Sequence, residues 1–256
     1  VWFGADPTGV ADSTTAINTA VATGYALLPC GSYSVLSLTI GSTPGAGRHL
    51  SGASMVCVQL NWLTSSAATP MITVGNPTFL DGAELSSLTI NGNAEVGGTT
   101  STGPCVRVQN ARHVKMWDLY IKGCPSTAIL AGDDGASTGS TSIDMWSTFL
   151  NGWGFVHAGN AVHMSGTIFG FNMWGSNVCC SDPSSTTVTS AAVWLDHNNN
   201  DTNMFGNNIG PNGVAVYVKN SSSSFHATGN SFGCDLCVGQ DLIVVDSSFN
   251  ANLSGN

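Results

Sequence analysis

Apolar residues recur along this chain in a short pattern that returns at uneven intervals. In its clearest form the pattern places Leu85, Leu88 and Ile90 before an Asn-Gly pair, with polar residues between them. Related segments follow at 116–121, 145–150, 164–169, 204–209 and 227–232, with a weaker one at 245–249. Alternation of apolar and polar positions over a few residues is typical of half-buried strands, so the pattern predicts a series of short strands.

Alignment of these segments predicts that one residue of each points into a common interior. These inward residues are Ile90, Ile121, Leu150, Phe169, Ile209, Phe232 and Phe249. A second apolar column runs through Val106, Ile129, Phe155, Val193, Val216 and Leu236. Irregular spacing around a preserved motif is typical of solenoids that carry loops at fixed corners. We therefore expect about seven coils and a long loop near residues 172–190, with positive-φ glycines at the corners Gly92, Gly123 and Gly152.

One short helix is predicted near the N-terminus. Asp12 is a good N-cap residue, and Gly24 is suited to ending the helix. Between them, Ala16, Ile17, Ala20 and Val21 recur at helical spacing. Such a helix would cover the exposed terminal coil of a solenoid, whose unpaired backbone otherwise invites aggregation.

Three segments near the N-terminus carry a family likeness. The run 3–17 begins Phe-Gly-Ala-Asp-Pro-Thr-Gly, 28–33 contains a Pro-x-Gly-x-Tyr turn, and 49–53 contains an apolar-x-Gly step. Together they resemble the opening of the pectate-lyase-like right-handed β-helix superfamily, in the form common among bacteriophage tailspikes and secreted polysaccharide depolymerases. The resemblance implies an all-β fold, a single right-handed parallel β-helix over 1–256. Its N-terminal cap region would be 1–28 and its coils 29–256.

The same resemblance implies a function, although none of the matching segments holds a catalytic residue. The expected protein is a homotrimer that binds and depolymerises a bacterial surface polysaccharide, outside the cell on a virion tail or as a secreted product. Two alternatives stay open. One is a monomeric secreted polysaccharide lyase or glycoside hydrolase, and the other is a non-catalytic glycan-binding spike or adhesin.

Charge narrows the range of partners. Only 8% of the residues are charged, with 6 Lys plus Arg against 15 Asp plus Glu and a net charge of -9. Nucleic acid is not expected as a partner, because phosphate neutralisation needs clustered cations. So few cations also make a neutral or weakly charged glycan easier to hold than a polyanion. No apolar run is long enough to predict insertion into a membrane.

The 8 cysteines do not follow the spacing of a zinc site. The Cys234-x-x-Cys237 pair has no second pair, and Cys179 and Cys180 are adjacent. Two interpretations remain: disulfides, such as one between Cys105 and Cys124, or free thiols buried inside the solenoid.

The alignment places Glu84, Lys115, Asp144 and His163 in one outward column, because alternate residues of a strand share a face. Two acids that flank a base could serve a polysaccharide lyase or hydrolase, and they could equally form a surface ion-pair ladder. Arg107, Arg112 and His113 lie nearby in sequence, so half of the chain's Lys and Arg falls between 107 and 115. We expect Arg107 and Arg112 to bind substrate.

A second acidic candidate is the adjacent pair Asp133 and Asp134. Inverting glycoside hydrolysis uses two carboxyl groups, one as the acid and one as the base. Polygalacturonase-like β-helices carry such paired aspartates together with further motifs, and those further motifs are absent from this chain. Asp-Asp-Gly is also an ordinary turn sequence. As catalytic residues we predict Asp133, Asp134 and Asp144, assisted by Lys115 or His113. No cofactor is expected, but a calcium-dependent alternative could draw ligands from these aspartates and Asp118.

The tryptophans give a further signal. Trp117 and Trp146 occupy equivalent outward positions on adjacent coils, and Trp153 and Trp174 lie in the same part of the chain. Exposed aromatic rings offer apolar faces to sugars, and exposed apolar patches also mark subunit contacts. We expect this pair to bind glycan or to form the trimer interface.

Overall fold

The computed structural model describes residues 3–41, 45–63, 69–93, 103–132, 142–151, 160–166, 168–179, 191–196, 199–210, 214–219, 224–233, 243–246 and 250–256. Over these ranges the chain is almost entirely β, with one helix, α1 (Thr14–Ala22). No helix in these ranges has the length and hydropathy needed to cross a membrane.

The strands follow one another in short segments, some of which run through more than one side of the solenoid. In chain order they are β1 (Thr8–Asp12), β2 (Tyr25–Leu28), β3 (Gly31–Val35), β4 (Leu38–Ile40), β5 (Gly45–Gly52), β6 (Val58–Trp62), β7 (Ile72–Asn91), β8 (Val106–Arg112), β9 (Val114–Lys122), β10 (Ile129–Ala131), β11 (Ile143–Trp146), β12 (Phe149–Asn151), β13 (Val162–Met164), β14 (Ile168–Trp174), β15 (Asn177–Cys179), β16 (Val193–Asp196), β17 (Asn199–Phe205), β18 (Asn208–Gly210), β19 (Val216–Lys219), β20 (Ser224–Thr228), β21 (Ser231–Phe232), β22 (Ile243–Asp246) and β23 (Asn250–Ser254).

The strands stack into three parallel sheets, each built from one segment of every coil. Sheet 1 contains β4, the start of β7, β8, β10, β13, β16, β19 and β22. Sheet 2 contains β2, β5, the middle of β7, the start of β9, β11, β14, β17, β20 and β23. Sheet 3 contains β1, β3, β6, the ends of β7 and β9, β12, β15, β18 and β21. The chain is a right-handed parallel β-helix, as predicted.

Among the described residues, the predicted inward column is correct except at one coil. Ile90, Ile121, Leu150 and Ile209 are buried in register, and Phe232 packs against the same core. At the fourth position Val178 stands where Phe169 was expected, because β15 and not β14 pairs with β12. The segment 164–169 resembles the repeat, but Met164 pairs with Ala131 in sheet 1.

The strand register also corrects two residues of the second apolar column and the position of the predicted loop. Val162 occupies the place assigned to Phe155, and Ile243 occupies the place assigned to Leu236. Val245 therefore belongs to sheet 1 and does not open a closing unit with Phe249. Phe155, Leu236 and Phe249 lie outside the described residues. Of the loop expected near 172–190, residues 172–174 and 177–179 are strands, and 180–190 is not described.

The solenoid is also longer than about seven coils. Nine successive segments pair in sheet 2, from β2 to β23. The apolar pattern begins at Leu85, so it missed the coils formed by residues 25–62. In those first coils large side chains such as Tyr33 and Trp62 fill the interior instead of the later Leu-x-Ile motif.

In the six coils from β7 to β20, the corner between sheets 2 and 3 is turned by one residue in the left-handed region. These residues have φ between +48° and +62°, and they are Ser87, Asp118, Ser147, Gly175, Gly206 and Gly229. The next residue points inward and changes character along the solenoid. It is leucine in the earlier coils, at Leu88 and Leu119, and polar in the later ones, at Thr148, Ser176, Asn207 and Asn230.

The buried asparagines hydrogen-bond the corner of each later coil to the next. The Asn207 side chain accepts the backbone N–H of Ser176 at 2.9 Å and donates to the carbonyl of Met173 at 3.0 Å. Asn230 makes the same two contacts one coil later, to Asn207 and Met204. This ladder satisfies backbone groups that the corner leaves without strand partners.

Replacement of Asn207 by Ala should therefore lower the free energy of unfolding by about 2 kcal/mol or more, because a buried N–H and a buried carbonyl lose their partner. Chemical denaturation measures the change. The control is Asn208→Ala at the neighbouring exposed position, which should cost little. Equal losses in the two variants would contradict a structural role for the ladder.

Gly92 and Gly123, which lie close together on adjacent coils, each require glycine for a different reason. Gly123 has φ +58°, as predicted for a corner glycine. Gly92 does not have positive φ; it is needed because a Cβ there would lie 2.4 Å from the carbonyl oxygen of Gly123 and 2.9 Å from the Cys105 sulfur. Gly152 lies outside the described residues.

Two disulfides cross-link the solenoid. Cys105 pairs with Cys124, the pair named from the sequence, and Cys30 pairs with Cys57. Every cysteine with a described side chain is in one of these bonds, so free thiols are not found there. The two bonds close loops with sequence separations of 27 and 19 residues, and a disulfide that closes a loop of about this size typically stabilises a fold by about 3 kcal/mol.

The N-terminal helix covers the first coil as expected, through buried Ile17 and Val21. Its N-cap residue is Ser13, one position later than predicted. Asp12 still contributes, because its carboxylate accepts the Thr14 backbone N–H at 2.9 Å.

Asp6 organises the loop that precedes the helix. Its carboxylate accepts the backbone N–H groups of Thr8, Val10 and Ala11 and the Thr8 hydroxyl. These donors, led by Ala11, lower the pKa of Asp6 from 3.8 to about 2, since they favour the ionised form.

The depressed pKa of Asp6 predicts a pH dependence of stability. A carboxyl whose pKa is lower in the folded state stabilises the fold above its unfolded pKa, and that contribution disappears as the pH falls through the folded value. Asp6→Asn should thus be less stable than the parent chain at neutral pH, and the difference should shrink between about pH 4 and pH 2. Thermal unfolding across this range measures it; a constant difference at all pH values would show that the ionised form is not what matters.

Candidate functional site

The outer face of sheet 2 carries a column of polar side chains. Strand register places Lys115 beside Glu84 on one side and Asp144 on the other, as predicted. The next position belongs to Asn172, followed by Asn203. The prediction for His163 is wrong. It lies in sheet 1, between Leu130 and Trp194, because the segment 164–169 was aligned with the wrong strand.

A column of aromatic side chains runs parallel to it, two residues further along each strand. Its members are Trp117, Trp146, Trp174 and Phe205. Trp174 and Phe205 are 36% and 37% exposed, and Trp117 and Trp146 are partly exposed. The prediction that Trp117 and Trp146 lie together on one outer face is confirmed. Trp153 lies outside the described residues.

Stacking of this pair decides which ring surfaces remain open. The rings of Trp117 and Trp146 are parallel within 2°, with centroids 5.0 Å apart. Each ring therefore covers one face of the other, so the two faces between them are not offered to a ligand. Between Trp146 and Trp174, both of which are described, no such stack forms.

A shallow, open depression lies next to the stacked pair. It is lined by Lys115, Asp144, Trp146, Ser147, Trp174 and Gly175. Gly175 is at the left-handed corner, and a Cβ there would meet nothing within 4 Å. The depression combines aromatic carbon with one amine and one carboxylate, which is the mixture that sugar recognition uses: apolar ring faces on one side and hydrogen-bonding groups on the other.

Hydrogen bonds fix the polar half of the depression. Asn172 Nδ2 donates to Asp144 Oδ1 at 2.8 Å, and Asn203 Nδ2 donates to Asn172 Oδ1 at 2.8 Å. Glu84 is held by His49, whose Nδ1 lies 3.1 Å from Glu84 Oε2. Among the described residues Lys115 makes no ion pair with either acid, so the alternative of a plain ion-pair ladder is not what forms here.

Arg112 and His113 are joined by a residue that sequence analysis missed. Asp81 Oδ2 accepts from Arg112 at 2.7 Å, and Asp81 Oδ1 lies 2.8 Å from His113 Nδ1. Arg112 and His113 lower the pKa of the Asp81 carboxyl, and Asp81 raises the pKa of the guanidinium. Asp81 is separated from Arg112 by the same interval as Ile90 from Ile121, so extension of the alignment by nine residues would have found it.

The remaining predicted residues lie elsewhere or outside the described ranges. Arg107 is in sheet 1, between Thr73 and Leu130, on a different side of the solenoid from Lys115. Asp133 and Asp134 fall in a range that the structure does not describe. The structure therefore brings together Lys115, Asp144, Trp117 and Trp146, and separates them from Arg107.

The aromatic column was readable from the sequence in part. The dipeptide Met-Trp occurs at 116–117, 145–146 and 173–174, and Met-Phe follows at 204–205. In each case the methionine is buried and the aromatic residue faces outward. The third copy, at 173–174, is missed by the alignment because the segment 164–169 resembles the repeat and takes its place.

Metal binding finds no support in the described part of the chain. No group of three or more His, Cys, Asp or Glu side chains there is arranged to hold an ion. Of the aspartates considered for calcium, Asp118 turns a corner and Asp144 faces outward from β11, hydrogen-bonded to Asn172.

Comparison with known proteins shows likeness of structure alone. No family model matches the sequence, and no curated protein does. Among solved structures, Geobacillus virus E2 ORF18 matches with a TM-score of 0.61 at 15% identity, over 98% of this chain and 60% of the viral protein. Pre-mature bacteriophage phi29 gene product 12 matches at 0.54 and 18% identity, over 90% of this chain and 33% of the other.

A third structure, the A-module of the Azotobacter vinelandii mannuronan C-5 epimerase AlgE4, matches with a TM-score of 0.49 at 12% identity, over 99% of this chain and 94% of the module. This chain therefore spans less than two thirds of each of the two phage proteins. The first two matches establish that the chain has the parallel β-helix fold found in these phage proteins.

Proposed function

We propose that this β-helix binds a polysaccharide on the outer face of sheet 2. The observation that carries the proposal is the depression at Trp146 and Trp174, where two outward rings stand beside Lys115 and Asp144. A sugar ring has apolar C–H faces and a rim of hydroxyl groups. The tryptophans can pack against the first, and the amine and carboxylate can bond the second.

Repetition of the site along the solenoid suits a polymer better than a small molecule. Trp117, Trp146, Trp174 and Phe205 occupy successive coils, about 4.8 Å apart. Contacts at neighbouring coils add avidity, so weak interactions with single sugars can sum to stable binding. The chain shares its fold with two phage proteins, and the family resemblance of its N-terminal segments implies a setting in which such a surface meets glycans.

The proposal includes the assembly and location expected from the family resemblance. Three copies associate as a homotrimer, outside the cell on a virion tail or as a secreted protein. Trp174 and Phe205 are exposed apolar groups, and such patches mark either a ligand site or a subunit contact. We assign them to glycan, because a carboxylate and an amine line the same depression as Trp174.

The double variant Trp146→Ala, Trp174→Ala should weaken polysaccharide binding at least about tenfold, since loss of a central aromatic contact costs about 2 kcal/mol. Affinity electrophoresis against a panel of capsular polysaccharides and exopolysaccharides measures the change. The matched control is Phe149→Ala, which removes an aromatic ring 45% exposed on sheet 3.

Light scattering on the same proteins separates the two uses of the surface. Unchanged binding together with loss of the oligomer would mean that the aromatic column is a subunit interface. Equal weakening by Phe149→Ala would mean that the effect is not specific to sheet 2.

Cleavage of the bound polysaccharide is a second candidate function. Glu84 and Asp144 flank Lys115 and stand two strand spacings apart, roughly 10 Å between backbones. Inverting hydrolases hold their two carboxyl groups about 6.5–9.5 Å apart. In this hypothesis Asp144 and Glu84 share acid and base roles with Lys115 assisting, and no cofactor takes part. Roles for Asp133, Asp134 and His113 remain predictions.

If the chain is a depolymerase of this kind, Asp144→Asn should reduce its activity by about a hundredfold or more, the usual scale for a general acid or base. Reducing ends report hydrolysis, and absorbance of an unsaturated sugar reports a lyase. Asp201→Asn, at an exposed carboxylate of the same sheet, is the control. Full activity in Asp144→Asn and in Glu84→Gln would place the chemistry elsewhere; no activity in the parent chain on any polysaccharide that it binds would leave a binding protein.

A further inference from the structure

We propose that Asp144 makes the sheet 2 face selective for neutral sugars and excludes sugars that carry a carboxylate. The inference rests on the proposed glycan-binding function and adds to it the charge class of the ligand. It follows from the order of charges along the polar column and from the way in which Asp144 is held.

The charges along the column alternate, with acids on the outside. Lys115 is the cation that lines the depression, and register places Glu84 and Asp144 on the two strands next to it. An anionic ligand that approached the Lys115 amine would therefore meet a carboxylate on each side, about 4.8 Å away in strand spacing. The partner of Glu84 is an imidazole, which offsets its charge only when protonated.

Arg112, which precedes Lys115 in the same coil, is already engaged. Arg112 Nη2 lies 2.7 Å from Asp81, so that pair adds no net positive charge toward a ligand. Along the polar column, the amine of Lys115 thus has two acidic strand neighbours, Glu84 and Asp144, and Asp144 also lines the depression. A ligand without charge meets no such repulsion, and its hydroxyls can donate to a carboxylate and accept from an amine.

The amides next to Asp144 keep its carboxylate in place. An ionised carboxylate can only accept hydrogen bonds, so Asn172 must present its Nδ2 to Asp144 and its Oδ1 to Asn203. Both amides therefore donate toward Asp144, and each hydrogen bond in such a chain strengthens the next. Oδ1 of Asp144 is thereby occupied, and Oδ2 remains for a ligand, since no described residue donates to it.

An oxygen fixed in this way discriminates between ligands. A sugar hydroxyl can donate to Oδ2, whereas the carboxylate of a uronic acid has no proton to donate and carries the same charge. Binding sites commonly reject a wrong ligand by such an unfavourable contact and not only by favouring the right one. Asp144 would be the residue that sets this selectivity, with Asn172 and Asn203 as its positioning residues.

The test compares pairs of polymers that differ only in charge. Pullulan, galactomannan, mixed-linkage β-glucan and neutral capsular polysaccharides are each used unmodified and after oxidation of their primary hydroxyls to carboxylates. Affinity electrophoresis of the full chain in low salt gives a dissociation constant for each member. We expect the neutral member of a bound pair to be preferred by about tenfold or more.

Two variants make the assignment specific. Asp144→Asn removes the negative charge with little change in shape, so the preference for the neutral member should fall to about threefold or less. Asp201→Asn removes an exposed carboxylate elsewhere on sheet 2 and should leave the preference unchanged. Raising the salt to physiological strength should also reduce the preference, because charges then act over only about 8 Å.

The outcomes separate this inference from the function on which it rests. Equal binding of both members, or tighter binding of the oxidised one, would overturn the selectivity and leave glycan binding intact. A preference that survives in Asp144→Asn would overturn the role of this residue. Failure to bind any member of the panel in either form would count against the glycan-binding proposal, and the selectivity would fall with it.

Discussion

Parallel hydrogen bonding between successive coils is the constraint from which the rest of this structure follows. Each coil contributes one strand to each of three sheets, and its register against the preceding coil fixes which side chains line up. Because side chains alternate between the two faces of a strand, a single register creates an apolar column inside and two useful columns outside. Lys115 beside Asp144, and Trp117 beside Trp146, are consequences of that register.

The same stacking leaves backbone N–H and carbonyl groups at the corners without strand partners, so side chains must bond them. Where the chain turns between sheets 2 and 3 in the coils from β7 to β20, one residue adopts the left-handed region and the next points into the interior. The earlier coils fill this interior position with leucine, and the later ones use a ladder that includes Asn207 and Asn230. A protein with so few charged residues relies on amides for this task, since an amide can both donate and accept without the cost of burying a charge.

The candidate site depends on this rigid frame and not on a preformed cleft. Its depression is shallow, and its chemistry comes from side chains that adjacent strands hold at a fixed spacing. Stacking of Trp117 on Trp146 covers one face of each ring, and Trp174 adds a second tryptophan to the depression. Sites built on strands are positioned more accurately than sites on loops, which suits recognition of a repeating polymer.

The sequence by itself determined the fold class, through the family resemblance of its N-terminal segments and the repeated motif. Alternation of apolar and polar residues determined the inward column from Ile90 to Leu150 and the position of Lys115 between its acidic neighbours. It misplaced Phe169 and His163, since the segment 164–169 imitates the repeat while its backbone pairs with a different sheet. Long-range hydrogen bonds decide which of two similar segments joins a column, and a local sequence pattern contains no information about those bonds. The interval between coils could place Asp81 beside Arg112, but only the tertiary structure could show that its carboxylate contacts both Arg112 and His113. Only the structure could show that the two tryptophan rings lie face to face and that amides hold Asp144. These contacts depend on side-chain directions between coils about thirty residues apart, and spacing along the chain does not encode them.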